Sequence, residues 1–130
     1  MLNLLLKTDQ PLAKLYLYED KKLVCQYFWQ ADRSLAETLN QSIERLLTSA
    51  GKSLADLDGI GIFSGPGSFT GLRIGHAVGN ALAYALDLPI DSAGGKNWQQ
   101  GVLTKLLSGK HETMVLPNYG RQARITKPRK

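Results

Sequence analysis

The chain has 130 residues, 43% of them hydrophobic and 21% charged, an ordinary composition for one globular domain, and this length excludes a multidomain enzyme. A single cysteine, Cys25, excludes an internal disulfide, and neither His76 nor His111 has a second cysteine at metal-ligand spacing, so no metal and no cofactor is expected. No apolar run approaches the roughly 20 residues of a membrane-spanning helix, and the apolar opening, broken by Asn3, is shorter than the about 7 to 15 residues of a signal peptide's core; a soluble, cytoplasmic protein with no membrane contact is expected. The net charge of +5 is uneven: residues 1–104 carry nine Lys or Arg against ten Asp or Glu, and residues 105–130 carry seven against one.

Residues 1–7, 12–18 and 23–29 are runs rich in Leu, Val and aromatics, separated by polar turns, and they predict two consecutive hairpins. In the second run Leu15 and Leu17 alternate with Lys14, Tyr16 and Tyr18, which gives one face to a core. After Arg33, Ser34 and Glu37 have the spacing of a capping box, and Leu35, Leu39, Ile43, Leu46, Leu47 and Ala50 follow at helical steps until Gly51. Residues 59–64 read as a buried strand. A turn through Gly65-Pro66-Gly67 leads into a helix from Phe69 to about Leu86, a short strand begins at Pro89-Ile90, and a third helix covers 98–107. The order β-β-β-α-β-α-β-α predicts an α/β fold with a mixed sheet and helices packed on it. Residues 1–108 are read as the domain. Residues 109–130 are read as a basic C-terminal tail in which Met114, Val115 and Leu116 form a short edge strand.

The densest segment is the glycine-rich turn. A strand, a glycine turn and a helix N-terminus together make a generic anion site, because free backbone N–H groups and the positive end of the helix dipole meet there. The segment is neither a Walker loop nor a Rossmann fingerprint, since no Gly-Lys-Ser/Thr follows and its third glycine is Gly71. Its glycines serve either a phosphate or a tight turn with close helix packing.

On the following helix, Ile74, Val78, Ala81, Leu82 and Ala85 share one face, read as the core face. Gly71, Gly75, Gly79 and Ala83 make a second stripe. Each glycine costs about 1 kcal/mol relative to alanine inside a helix, so the stripe implies that another backbone comes close, from a partner helix or from the chain's own first helix. Leu72, Gly75, His76, Gly79 and Ala83 are the candidate partner-binding residues. His76 is read as an interface or surface residue, and no Ser–His–Asp set or carboxylate pair supplies a catalytic site.

Gly65-Pro66-Gly67-Ser68-Phe69-Thr70-Gly71-Leu72-Arg73-Ile74-Gly75 resembles the signature of the bacterial TsaB family, accessory proteins in making the threonylcarbamoyladenosine of tRNA. The resemblance covers roughly residues 1–95, and Pro117-Asn118-Tyr119-Gly120-Arg121 is similar to a segment near the family's C-terminus; about twenty residues stand between them, where the family carries most of a second domain. It implies one half of an actin-like, sugar-kinase-like, Hsp70-like (ribonuclease H-like) fold. It also implies a pseudo-enzyme that pairs with a catalytic TsaD-like subunit, beside a TsaE-like ATPase, or with itself in isolation. Lys7-Thr8-Asp9 stands where the family's first strand usually ends in Asp-Thr-Ser, which argues against metal–nucleotide hydrolysis. The reading is a non-catalytic scaffold subunit; the alternative is a small nucleotide- or phosphate-binding protein that uses the Gly65 to Gly71 turn. In the tail, Lys105, Lys110, Arg121, Arg124, Lys127, Arg129 and Lys130 are either solvated or in contact with tRNA.

Overall fold

The computed structural model describes residues 1–109 and 112–117. Five strands, β1 (Leu2–Lys7), β2 (Leu12–Glu19), β3 (Lys22–Gln30), β4 (Gly59–Phe63) and β5 (Ile90–Ala93), form one sheet in the order β3-β2-β1-β4-β5. The first three pair antiparallel, as hairpins must. β4 and β5 join parallel, each after a helical crossover. The helices are α1 (Leu35–Ser49), α2 (Phe69–Leu86) and α3 (Trp98–Ser108), so the α/β order read from the sequence is the order of the fold. No helix among the described residues is long and apolar enough to cross a membrane.

The pleat divides β1 and β4 between two cores. Leu4, Leu6, Ile60 and Ile62 face α1 and α2, whereas Leu5 joins Tyr16, Phe63 and the apolar side of α3. α1 earns its place by its stripe: Leu35, Leu39, Ile43, Leu46 and Leu47 are all buried, each worth roughly 1.5–3 kcal/mol. Beneath α3, Gly59 and Gly61 face Leu106 and Val102 so closely that added Cβ atoms would press on Asn3, Val102 and Leu5. The helix can therefore settle onto the strand.

One local expectation fails. Ser34 does not cap α1, because a single 3-10 turn (Asp32–Ser34) precedes the helix and turns the Ser34 hydroxyl back to the Ala31 carbonyl at 2.7 Å. The capping box lies at Ser53 and Asp56 instead, where Ser53 N–H donates to the Asp56 carboxylate at 2.9 Å.

After α3, the chain returns to the edge of β5. There Glu112, rather than the 114–116 run, makes the backbone pairing, exchanging two hydrogen bonds with Ile90. Val115 is buried, while Met114 and Leu116 are exposed.

Candidate functional site

Phe63 ends β4 on the core side, and the chain crosses to α2 through Gly65, whose φ of +106° only glycine adopts without strain. The turn is fastened to the loop between β1 and β2 rather than left open. Thr8 donates its hydroxyl to the Gly71 carbonyl at 2.8 Å, and Ser68 N–H donates to the Asp9 carbonyl at 3.2 Å. Ser68 caps α2, its hydroxyl accepting from Gly71 N–H.

Lys7 and Asp9 face each other in a partly buried ion pair at 2.6 Å, and the Lys7 ammonium also lies 4.4 Å from the centre of the Phe63 ring. An acid so occupied has little left for a metal ion. Beside it a cavity of about 650 Å³ opens between the two loops, lined by Gln10, Arg33, Leu35, Ser68 and Thr70 among others. Its walls are largely apolar and its one cationic side chain is Arg33. The arrangement offers helix-terminal N–H groups and a guanidinium to an anion, with Asp32 as the one carboxylate in the lining, and no cluster of three metal-ligating side chains occurs among the described residues.

The helix after the turn is rotated about its axis relative to the sequence reading, with the glycine stripe at the centre of its buried face. Leu72, Gly75, His76, Gly79 and Ala83, the candidate partner contacts, are all buried against the chain's own sheet. Side chains there would have no room: a Cβ on Gly71 would strike the Thr8 carbonyl, one on Gly75 the Thr8 hydroxyl, and one on Gly79 the Ile62 side chain. The backbone that approaches the glycine stripe is thus that of Thr8, just past the end of β1, with the Thr8 hydroxyl and the β4 side chain of Ile62 beside it.

The expected core face is divided between the core and solvent. Ala81 and Ala85 are exposed together with Ala77, while Ile74, Val78 and Leu82 are half-buried at the border of the core shared with α1. Arg73 is exposed over the Phe69 ring, and Tyr84 is 89% exposed.

His76 is 3% exposed, not a surface residue. Its Nδ1 stands 2.7 Å from the Leu72 carbonyl, a contact in which the ring nitrogen donates, and its Nε2 has no protein partner. Burial lowers its pKa from the ordinary histidine value, only partly opposed by the bond to Leu72, so the ring is neutral at pH 7. Tyr16 and Tyr18 are shifted upward for the matching reason, burial of a group that ionises to an anion.

Two asparagines escaped the sequence reading. Asn80, on the flank of α2, binds the backbone of Val115 with both ends of its amide, at 2.8 and 2.9 Å. Asn3 is fully buried in β1 with neither amide atom bonded to a protein group. Each is a lone polar residue in an apolar run, the one available signal. Of the basic tail residues, Lys105 donates to the Ser92 carbonyl at 2.7 Å and pairs with Asp91; Lys110, Arg121, Arg124, Lys127, Arg129 and Lys130 lie outside the described residues.

Residues 29–92 match the family model for TsaD, tRNA N6-adenosine threonylcarbamoyltransferase. A transferase of that name from Geotalea uraniireducens is 45% identical over 60 residues, 46% of this chain and 18% of the relative. The tRNA threonylcarbamoyladenosine biosynthesis protein TsaB of Escherichia coli is 34% identical over 64 residues, 49% of this chain and 28% of its own length. Among solved structures, YeaZ from Pseudomonas aeruginosa superposes with a TM-score of 0.66 at 30% identity, covering 72% of this chain and 43% of that one. The chain therefore spans less than half the length of these relatives. Its sheet carries the architecture of one half of the YeaZ, actin-like fold. With the glycine turn seated between β4 and α2 in that half-fold, and with likeness to both the transferase and its accessory relative, the chain belongs to the TsaD/YeaZ (TsaB) family as a partial-length match.

Proposed function

We propose that the chain is a non-catalytic accessory subunit that binds a TsaD-like transferase and supports threonylcarbamoyladenosine modification of tRNA. One observation carries this reading. The outward face of α2 presents Ala77, Ala81 and Ala85 at steps of four, and Arg73 is the helix's single charged residue. A solvated helix face normally alternates charges. A face of exposed alanines instead lets a partner helix come within the 8 to 10 Å of close packing. The Lys7–Asp9 ion pair supports the absence of catalysis, because it occupies the acid nearest the turn. A TsaE-like ATPase would join the pair elsewhere, and without the transferase two copies would meet on the same face of α2.

The test is binding of the purified chain to the TsaD-like transferase of the same cell, by titration calorimetry. Ala81→Glu and Ala77→Glu place an unpaired carboxylate in the contact and should weaken binding roughly hundredfold, with circular dichroism unchanged. Wild-type affinity in both variants overturns the reading.

The cavity beside Arg33 favours a second reading, a small nucleotide or phosphate held at the α2 N-terminus. Micromolar binding of ATP and magnesium that disappears in Arg33→Ala would support it, and absence of binding removes it.

A further inference from the structure

We infer that the α3 side of the sheet, where β2 and β3 run past the helix, is a binding site for single-stranded nucleic acid, with a base stacked on Phe28 and a phosphate on Lys14. α3 packs chiefly on β4 and β5 and leaves the antiparallel end of this face open. Alternation sorts the strands: Leu15, Leu17, Cys25 and Tyr27 join the core under α1 and α2, so Lys14, Tyr16, Gln26, Phe28 and Gln30 lie on the α3 side. There the rings of Trp98 and Tyr16 meet edge to face, their centres 5.9 Å apart, and the next ring, Phe28, lies 5.6 Å from Tyr16 and is 41% exposed.

The charge on this part of the sheet has one sign. Lys7 and Lys14 stand directly opposite each other on β1 and β2, and like charges so placed are destabilising. Lys7 is answered by Asp9. Lys14 has no carboxylate partner among the described residues, and its ammonium lies 5.6 Å from the centre of the Phe28 ring. Glu19, the one acid within the three antiparallel strands, pairs with Leu2 on the opposite face. An anion at Lys14 would relieve the repulsion that the chain itself leaves half answered.

The ring and the cation match two parts of a nucleotide, and the neighbours of Phe28 match the third. Gln26 and Gln30 flank it along β3, both exposed; their amides donate and accept at once, as the polar edge of an unstacked base requires. A double helix keeps its bases stacked inside and would not reach the ring, so the occupant is a single strand. A protein partner would instead bury Lys14 at the cost of desolvating an unpaired ammonium, whereas a nucleic acid brings the counter-charge with it. α2 packs on the other side of the sheet, so this site stands apart from the proposed transferase contact and does not rest on it.

Fluorescence anisotropy of a labelled oligouridylate should show binding to the full chain with a Kd on the order of 10 μM at physiological salt. Phe28→Leu keeps the apolar bulk and removes the π face, and it should weaken binding about tenfold; Phe28→Tyr, which keeps the ring, should bind as the wild type does. Lys14→Gln should lower the slope of log Kd against log salt by about 0.7, the share of one phosphate on a single strand. Circular dichroism should be unchanged in each variant, and if Phe28→Leu fails to fold, the Lys14→Gln slope carries the test. Tighter binding of oligouridylate than of oligodeoxythymidylate names RNA as the occupant, and the reverse names DNA. No binding by the wild-type chain overturns the inference. So do an affinity and a salt slope unchanged in both variants, the result expected if only the basic residues after 117 hold the strand.

Discussion

The two faces of α2 carry the same device with opposite outcomes. Inward, Gly71, Gly75 and Gly79 recur every four residues, and the helix rests so close to Thr8 and Ile62 that no Cβ fits. Outward, Ala77, Ala81 and Ala85 recur at the same interval and meet nothing of their own chain closely enough to be buried. Periodicity of small residues therefore signals that a surface is built for close approach, and not which surface approaches. The distinguishing feature is the residue size itself: glycine where a backbone carbonyl and a strand side chain already occupy the space, alanine where the space is open.

The largest expected effect follows from filling the inner stripe. Gly79→Leu gains helix propensity of most of 1 kcal/mol, but the new side chain must displace Ile62, itself 1% exposed in the main core. Overpacking of this kind costs about 1 to 3 kcal/mol or more, and the helix must lift from β4 to relieve it. Thermal unfolding of Gly79→Leu should show net destabilisation of about 2 kcal/mol or an unfolded chain. A stable variant would mean that α2 sits further from the sheet than the structure places it.

The elements themselves were legible because their punctuation is local. Gly51, the Gly65-Pro66-Gly67 turn and Gly94-Gly95 separate runs whose periods differ, and α2 begins and ends where the pattern places it. The face of α2 was not legible by the same means. Counting apolar mass put Ile74, Val78 and Leu82 in the core, yet those larger side chains lie at the border with α1, while the centre of the contact belongs to glycines that hydrophobicity scarcely scores. Distance from the sheet, a tertiary quantity, decided the orientation. Ser34 failed for a related reason: its hydroxyl was claimed by Ala31 within a preceding turn that no spacing in the sequence announces.

His76 extends the inner face and gives it a pH dependence. Burial holds its folded-state pKa below the ordinary value of 6.5, so the unfolded chain takes up a proton there before the folded chain does. Since the unfolded state then binds more protons, stability falls as pH drops through about 6.5 and is unaffected by this residue well above it. Denaturant melts between pH 7.5 and 5.5 should show the decline, and His76→Leu should remove most of it. An equal decline in both proteins would assign the effect to other groups and leave His76 outside the buried face.

The smallest change in stability, and the sharpest contrast between the faces, is expected from Ala77→Leu. Ala77 is exposed, so the added side chain meets solvent and no buried atom moves. Leucine's helix propensity is close to alanine's, and surface changes of this kind stay within about 0.5 kcal/mol. The melting curve should overlay that of the wild type. Association with the transferase separates two forms of the outer contact. If a partner helix packs at backbone distance, the leucine holds it away and binding falls as it does for Ala77→Glu; if the contact is looser, the added apolar surface is tolerated and only the glutamate is harmful. The alanine spacing favours the first outcome, since a loose contact would gain from larger side chains than Ala77, Ala81 and Ala85 provide.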